Sequence, residues 1–191
     1  MPSTLAAALR LFGRHGYAAT SVRRIAEEAG ISQGLLYNYY DGKGALLRAI
    51  FERSMEQVQA SFAVAAGGTS PRDRLERLVR AALGTVRENL AFWRLTYQLR
   101  MQPGVLEGLG DALRAWPEAI RLHLEGLLRD AGVASPEVEA RVLFAAIDGA
   151  AQHFALDPDR YPVDDVAAAI VRRFLPPTPA DGCGPEQETS S

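Results

Sequence analysis

The side chains with recognisable chemistry crowd into one stretch, Thr20 to Lys43, which reads TSVRRIAEEAGISQGLLYNYYDGK. Gln33 and Asn38 each carry an amide that can pair bidentately with an adenine edge. Arg23 offers the fork that suits guanine, and an exposed Leu35 can touch a thymine methyl. Thr20, Ser21 and Ser32 are short hydroxyls placed where helices begin. Gly34 leaves a site where no side chain blocks close approach, and Tyr37 and Tyr39 stand beside it. Lys43 is the sole lysine, against twenty arginines. It falls in the first turn of a helix, where the dipole also favours an anion. These are groups for holding phosphates and reading base edges, not for breaking a bond.

Such groups need a frame. Val22, Ile25, Ala26 and Ala29 fall at i, i+3, i+4 and i+7, so they form one apolar stripe on a helix that begins at a Thr20/Ser21 cap and stops at Gly30. Ile31 is an apolar hinge and Ser32 caps the next helix. Leu36 and Tyr40 give that helix a narrow apolar side, which frees Gln33, Gly34, Tyr37, Asn38 and Tyr39. This is a helix-turn-helix pattern, whose second helix normally lies in the DNA major groove. Several roles stay open at this level: Leu35 is either a base contact or helix core, either tyrosine can instead pack against the first helix, and Thr20 and Ser21 are either phosphate contacts or only caps. Arg23 and Arg24 project about 100° apart, so at most one of them faces the groove well.

The order and spacing of LFGRHGY, TSVRRIA, EAGIS, LLYNYY and the Lys43, Leu46, Leu47 trio resemble the DNA-binding domain of the TetR family of bacterial transcriptional regulators, over about Leu5 to Leu47. A short helix pair with a Gly turn is common, but this extended pattern is not. The resemblance implies that Lys43 contacts phosphate and that Tyr37 and Tyr39 meet the DNA backbone. It also implies a homodimer on a palindromic operator in double-stranded DNA, closed by a four-helix interface from the last two helices. The corresponding residues here are Leu143, Ala146, Ile147, Ala150, Phe154, Val166, Ile170 and Phe174. It further implies a small-molecule effector between the C-terminal helices, whose binding releases DNA from a repressor. Two departures matter. Only four residues precede Leu5, where relatives often carry a basic arm, and Leu35 replaces the small polar residue many relatives place there.

Composition sets bounds around this reading. With 191 residues, 48% of them apolar, the chain can bury a large core. There is no run of about 18 apolar residues and no signal pattern, and Cys183 has no partner for a disulfide; a cytoplasmic protein with no membrane contact is expected. The net charge of −2 hides an asymmetry: residues 1–50 carry six basic groups against three acidic, and the remainder fifteen against twenty. Only the first segment is basic, as suits a protein that meets phosphate there alone. His15, His123 and His153 are far apart with no second ligand at i+4, so no metal and no cofactor are expected.

The rest of the chain reads as all-α, with about nine helices in total. Leu5, Ala8, Leu9 and Phe12 mark a first helix, and a long helix over about 43–64 links a DNA-binding unit (1–46) to an effector-binding and dimerisation unit (47–175). A Gly67-Gly68-Thr69-Ser70 loop follows. Ser70-Pro71 and Ser135-Pro136-Glu137 are start signals for further helices, and the segment holding Trp93 and Tyr97 breaks at Pro103-Gly104. Pro117 implies a kink or a break in the run from Val105 to Ala131. Phe92, Trp93, Tyr97, Met101, Trp116, His123 and Phe144 spread over three helices, which suits either plain core or a pocket for an apolar or aromatic ligand. Asp148 either caps a ligand amine or bonds across the dimer. Residues 176–191 are Pro, Gly and polar, and are expected to be disordered. The alternative reading is an all-α small-molecule-binding protein or enzyme in which the helix-turn-helix is only structural. No phosphate loop, nucleophile elbow, metal cluster or evident carboxylate pair supports an enzyme.

Overall fold

Apolar residues at helical spacing, punctuated by glycine and proline, give nine helices and no strand among the described residues, which in this computed structural model are 2–65, 67–100, 102 and 111–175. They are α1 (Pro2–His15), α2 (Val22–Glu28), α3 (Gln33–Tyr37), α4 (Gly42–Ala65), α5 (Pro71–Glu88), α6 (Leu90–Arg100), α7 (Asp111–Asp130), α8 (Pro136–Leu156) and α9 (Val163–Phe174). Met101, the Pro103-Gly104 break, the start of the Val105 run and the 176–191 tail with Cys183 lie outside the described residues. None of the described helices is long and apolar enough to cross a membrane.

Two cores form. The first gathers Ala8, Leu11 and Phe12 of α1, Ile25 and Ala26 of α2, Leu36 of α3, and Leu46, Leu47, Ile50 and Phe51 of α4. Phe92, Leu95 and Leu99 of α6 complete it, an intrusion from well beyond the linking helix. The second core packs α5, α7, α8 and α9 around Leu75, Val79, Leu124, Leu128 and Leu143. Helix α6 lies between the two. Its Phe92 edge meets Phe51, with ring centroids 5.1 Å apart, and its other side faces α8.

The last two helices bear on the expected subunit interface. Leu143, Ile147, Ala150 and Phe154 of α8 and Ile170 of α9 are buried in their own subunit's core, and Ala146, Val166 and Phe174 pack against it. Most of the surface of the first five is therefore taken by their own subunit, whereas Ala146, Val166 and Phe174 stay part-exposed. The most apolar stripe of an amphipathic helix is the one its own core takes, whereas a subunit interface is only modestly more apolar than ordinary surface. On the opposite side of α8, Val138, Val142, Ala145, Gly149, Gln152 and Leu156 recur at steps of three and four; all but Gly149, which is half-buried, are exposed.

One local expectation narrows and another changes. Helix α7 runs on through Pro117, which sits in its second turn and removes a single backbone hydrogen bond there without ending the helix. Ser70 caps α5, accepting from the Asp73 amide at 3.1 Å, but Ser135 does not cap α8 with its side chain. After the left-handed Gly132, Ser135 itself lies at φ 55°, ψ 53°, a conformation that costs a residue with a Cβ about 1 kcal/mol or more. Ser135→Gly is therefore expected to raise the melting temperature by about 2–4 °C in a thermal unfolding scan.

Candidate nucleic-acid interface and effector cleft

The α2–α3 unit is built so that almost everything on α3 faces outward. Ser21 caps α2 by accepting from the Arg24 amide at 3.3 Å, and Ser32 caps α3 by accepting from the Leu35 amide at 3.1 Å. Between them Gly30, at φ 68°, supplies the left-handed residue that turns the chain. Leu36 is the one buried side chain of α3 and Tyr40 packs on the same core, so Gln33, Gly34, Leu35, Tyr37, Asn38 and Tyr39 all stay exposed. Leu35, Tyr37 and Tyr39 are 39%, 50% and 60% accessible. Leu35 is thus not helix core, and neither tyrosine is packed against α1. Three large apolar side chains side by side in water mark a surface awaiting a partner.

Gly34 bears on the same point. It is helical, its φ is not positive, and a Cβ built on it would meet nothing within 4 Å. Neither backbone nor packing demands glycine there. Gly34→Ala is expected to stabilise the free protein by about 0.5–1 kcal/mol in chemical denaturation, because alanine loses less backbone freedom in a helix. DNA affinity in a titration should fall in the same variant, since the added methyl occupies the approach surface.

On α2, Arg23 and Arg24 are both exposed; Arg23 pairs with Glu27 at 3.2 Å, and Arg10 of α1 pairs with Glu28 at 3.1 Å. Exposed pairs of this kind are weak enough to open toward a phosphate or base. Two expected contacts have partners within the chain. Thr20 is buried, with its hydroxyl 2.8 Å from the Gly16 carbonyl and 3.3 Å from that of Leu11, so it holds the end of α1 and not a phosphate. The Lys43 ammonium lies 2.9 Å from the carbonyls of Tyr17 and Ala18, 3.4 Å from that of Thr20, and 4.6 Å from the centre of the Tyr17 ring. Its three protons are used within the chain. Lysine and the turn before α2 form a clasp that sequence spacing did not reveal, because the partners are backbone oxygens more than twenty residues away.

The second site is a narrow cleft of about 80 Å³ between α4, α5, α6, α7 and α8, walled by Trp93, Tyr97, Arg100, Trp116, Phe144 and Asp148. Two expected members are elsewhere. Phe92 turns into the first core, being one residue and so about 100° from Trp93. His123 lines an adjoining hollow on the far side of the wall made by Trp116 and Ile120. Arg100, which sequence reasoning missed, holds Asp148 bidentately at 2.5 and 3.0 Å and lies 5.0 Å from the Tyr97 ring centre. Its signal was available: Arg100 is seven residues after Trp93 and three after Tyr97, hence on their face. Asp148, expected to cap a ligand amine or to bond across the dimer, is held by this pair within its own chain.

The Trp93 Nε1 and Tyr97 Oη atoms are buried and have no hydrogen-bond partner among the described residues. Burial, followed by the negative charge of Asp148, pushes the Tyr97 phenol well above its ordinary value, so it remains an O–H donor throughout the working pH range. Helix α6 therefore presents Phe92, Leu95 and Leu99 to the core under α3 and Trp93, Tyr97 and Arg100 to the cleft. One rigid element touches both sites.

Comparison with known proteins agrees with this arrangement from end to end. Residues 5–50 match the family model described as "Bacterial regulatory proteins, tetR family", and residues 70–177 match "Tetracyclin repressor-like, C-terminal domain". The chain is 30% identical over 176 residues to the HTH-type transcriptional regulator BetI of Brucella anthropi, covering 88% of each, and 27% identical over 170 residues to the regulator PksA of Bacillus subtilis, covering 85% of this chain and 82% of PksA. A TetR-like transcriptional regulator from Rhodococcus sp. RHA1 superposes with a TM-score of 0.79 at 27% identity, over 91% and 92% of the two chains. FadR of Bacillus subtilis, solved with stearoyl-CoA, shares the fold at a TM-score of 0.76 and 14% identity, over 91% and 97%. An outward-facing recognition helix on a helical domain, matched at both ends by the same family, leaves one conclusion: the chain belongs to the TetR family of bacterial transcriptional regulators.

Proposed function

We propose that this regulator is a dimeric, cytoplasmic repressor that binds a palindromic operator through α3 and leaves it when a largely apolar ligand enters the Trp93–Tyr97 cleft. The observation that carries the reading is the two-sided placement of α6, seated in the DNA-binding core on one side and walling the cleft on the other. The DNA-binding unit (1–46) and the effector and dimerisation unit (47–175) are then functional divisions that share this helix. Base reading falls to Gln33, Leu35, Asn38 and Arg23. Tyr37, Tyr39, Ser21, Ser32 and Gly34 meet the backbone, and Lys43 serves by holding the turn ahead of α2. The FadR neighbour solved with stearoyl-CoA supports ligand response in this fold. At about 80 Å³ the cleft is narrower than the few hundred Å³ typical of ligand sites, so a ligand must spread its walls and thereby move α6.

One motif reaches too few base pairs for tight binding, so two copies are needed. The exposed stripe of Val138, Val142, Ala145 and Leu156 on α8 supplies the subunit contact, its small residues letting helices approach closely. Val142→Glu, at a position 52% accessible, is expected to give a folded monomer in sedimentation, with operator affinity reduced at least tenfold. The central test is selection of bound fragments from a random DNA pool. A palindrome with two half-sites about one helical turn apart is expected. Unselective retention, or none, overturns the reading.

A further inference from the structure

The polar groups of the cleft specify what kind of ligand it takes, if the cleft is the effector site proposed above. Trp93 and Tyr97 are one helical turn apart on α6, with ring centroids 6.1 Å apart, and both carry a buried donor without a partner among the described residues. Two such donors on one wall are costly to leave unmade and ask for an acceptor. Among the described residues, the remaining polar groups of the cleft are already committed. Thr85 gives its proton to the Ala82 carbonyl at 2.8 Å, and Arg100 and Asp148 neutralise each other through two hydrogen bonds. Among the described residues the cleft therefore has two spare donors and no spare charge.

This balance discriminates among ligand classes. A carboxylate would add an uncompensated negative charge beside Asp148, or would have to take Arg100 from it. An ammonium could pair with Asp148 only by stranding Arg100, and it would leave both spare donors unmet. A hydrocarbon fits the walls of Trp93, Trp116 and Phe144 but also leaves the donors unmet. We infer that the cleft selects a flat, uncharged apolar molecule bearing a carbonyl oxygen, which the Trp93 Nε1–H and the Tyr97 Oη–H hold together.

Four probes of one shape test this on the full chain without DNA: 2-acetylnaphthalene, 2-naphthoate, 2-naphthylmethylammonium and 2-ethylnaphthalene, each titrated by calorimetry. The ketone is expected to bind about tenfold or more tighter than the hydrocarbon and than either ion, two hydrogen bonds being in play. Tyr97→Phe keeps the ring and removes an unpaired buried hydroxyl, so the fold should survive and its melting temperature should not drop. In that variant the preference for the ketone over 2-ethylnaphthalene should shrink about three- to tenfold, with the hydrocarbon affinity unchanged. The inference is overturned if either ion binds tightest, if ketone and hydrocarbon bind equally, if Tyr97→Phe leaves their ratio unchanged, or if no probe binds. Adding operator DNA separates the two proposals: a ketone that binds as expected but does not alter DNA affinity upholds the ligand class and refutes ligand-driven release.

Discussion

Lys43→Ala is expected to weaken operator binding about 10- to 100-fold while leaving the dependence of affinity on salt concentration nearly unchanged. The ammonium sits against the carbonyls of Tyr17, Ala18 and Thr20 and over the Tyr17 ring, so its loss strands three carbonyls and loosens the turn that sets α2. Charge-assisted hydrogen bonds contribute about 1.5–3 kcal/mol, and re-ordering that turn on binding costs DNA affinity of that size. A lysine whose work is a direct phosphate contact behaves differently: its removal lowers the salt slope by about one unit per subunit. Lys43→Arg sharpens the contrast. Arginine keeps the charge and satisfies a phosphate well, but its planar fork cannot aim three protons at three carbonyls that converge on one point. Partial rescue at most is expected in a DNA titration across salt concentrations. Full rescue by arginine, or a reduced slope for alanine, places Lys43 on phosphate after all.

What could be read from the sequence divides along physical lines. Helices announced themselves wherever apolar residues kept one face, and caps such as Ser21, Ser32 and Ser70 stand at helix starts where their hydroxyls accept an amide proton. The exposed side of α3 was legible because Leu36 and Tyr40 account for its packing. Roles that depend on where a partner lies in space were not legible. Thr20 looks like any helix-start hydroxyl until the end of α1 closes over it. Phe92 and Trp93 are adjacent in sequence, yet a rotation of about 100° sends one into the DNA-binding core and the other to the cleft. The amphipathic pattern of α8 pointed to its most apolar side, which the subunit's own core had already claimed. Ser135 carries the residue type of a cap, but its left-handed backbone turns the chain in a way that residue type does not encode.

Leu95→Ala is expected to cost about 2–5 kcal/mol of stability and to disconnect the cleft from the DNA-binding unit. Leu95 is fully buried where α6 enters the first core, so truncation opens a cavity at the joint between the two sites. The melting temperature should fall by roughly 5–15 °C. Stability alone does not isolate the coupling, so Leu128→Ala, a truncation of the same chemistry at a fully buried position of the second core, serves as the control. Linkage supplies a readout that needs no effector: if a ligand in the cleft alters DNA affinity, DNA must alter the cleft by the same free energy. In a Trp116→Phe background Trp93 is the sole tryptophan, and its fluorescence should change when operator binds. Leu128→Ala should keep that change at temperatures where it remains folded, whereas Leu95→Ala should lose most of it. Equal loss in both variants would assign the coupling to the general tightness of the helical domain. Selective loss in Leu95→Ala assigns it to α6, the helix that carries Phe92 on one side and Trp93 on the other.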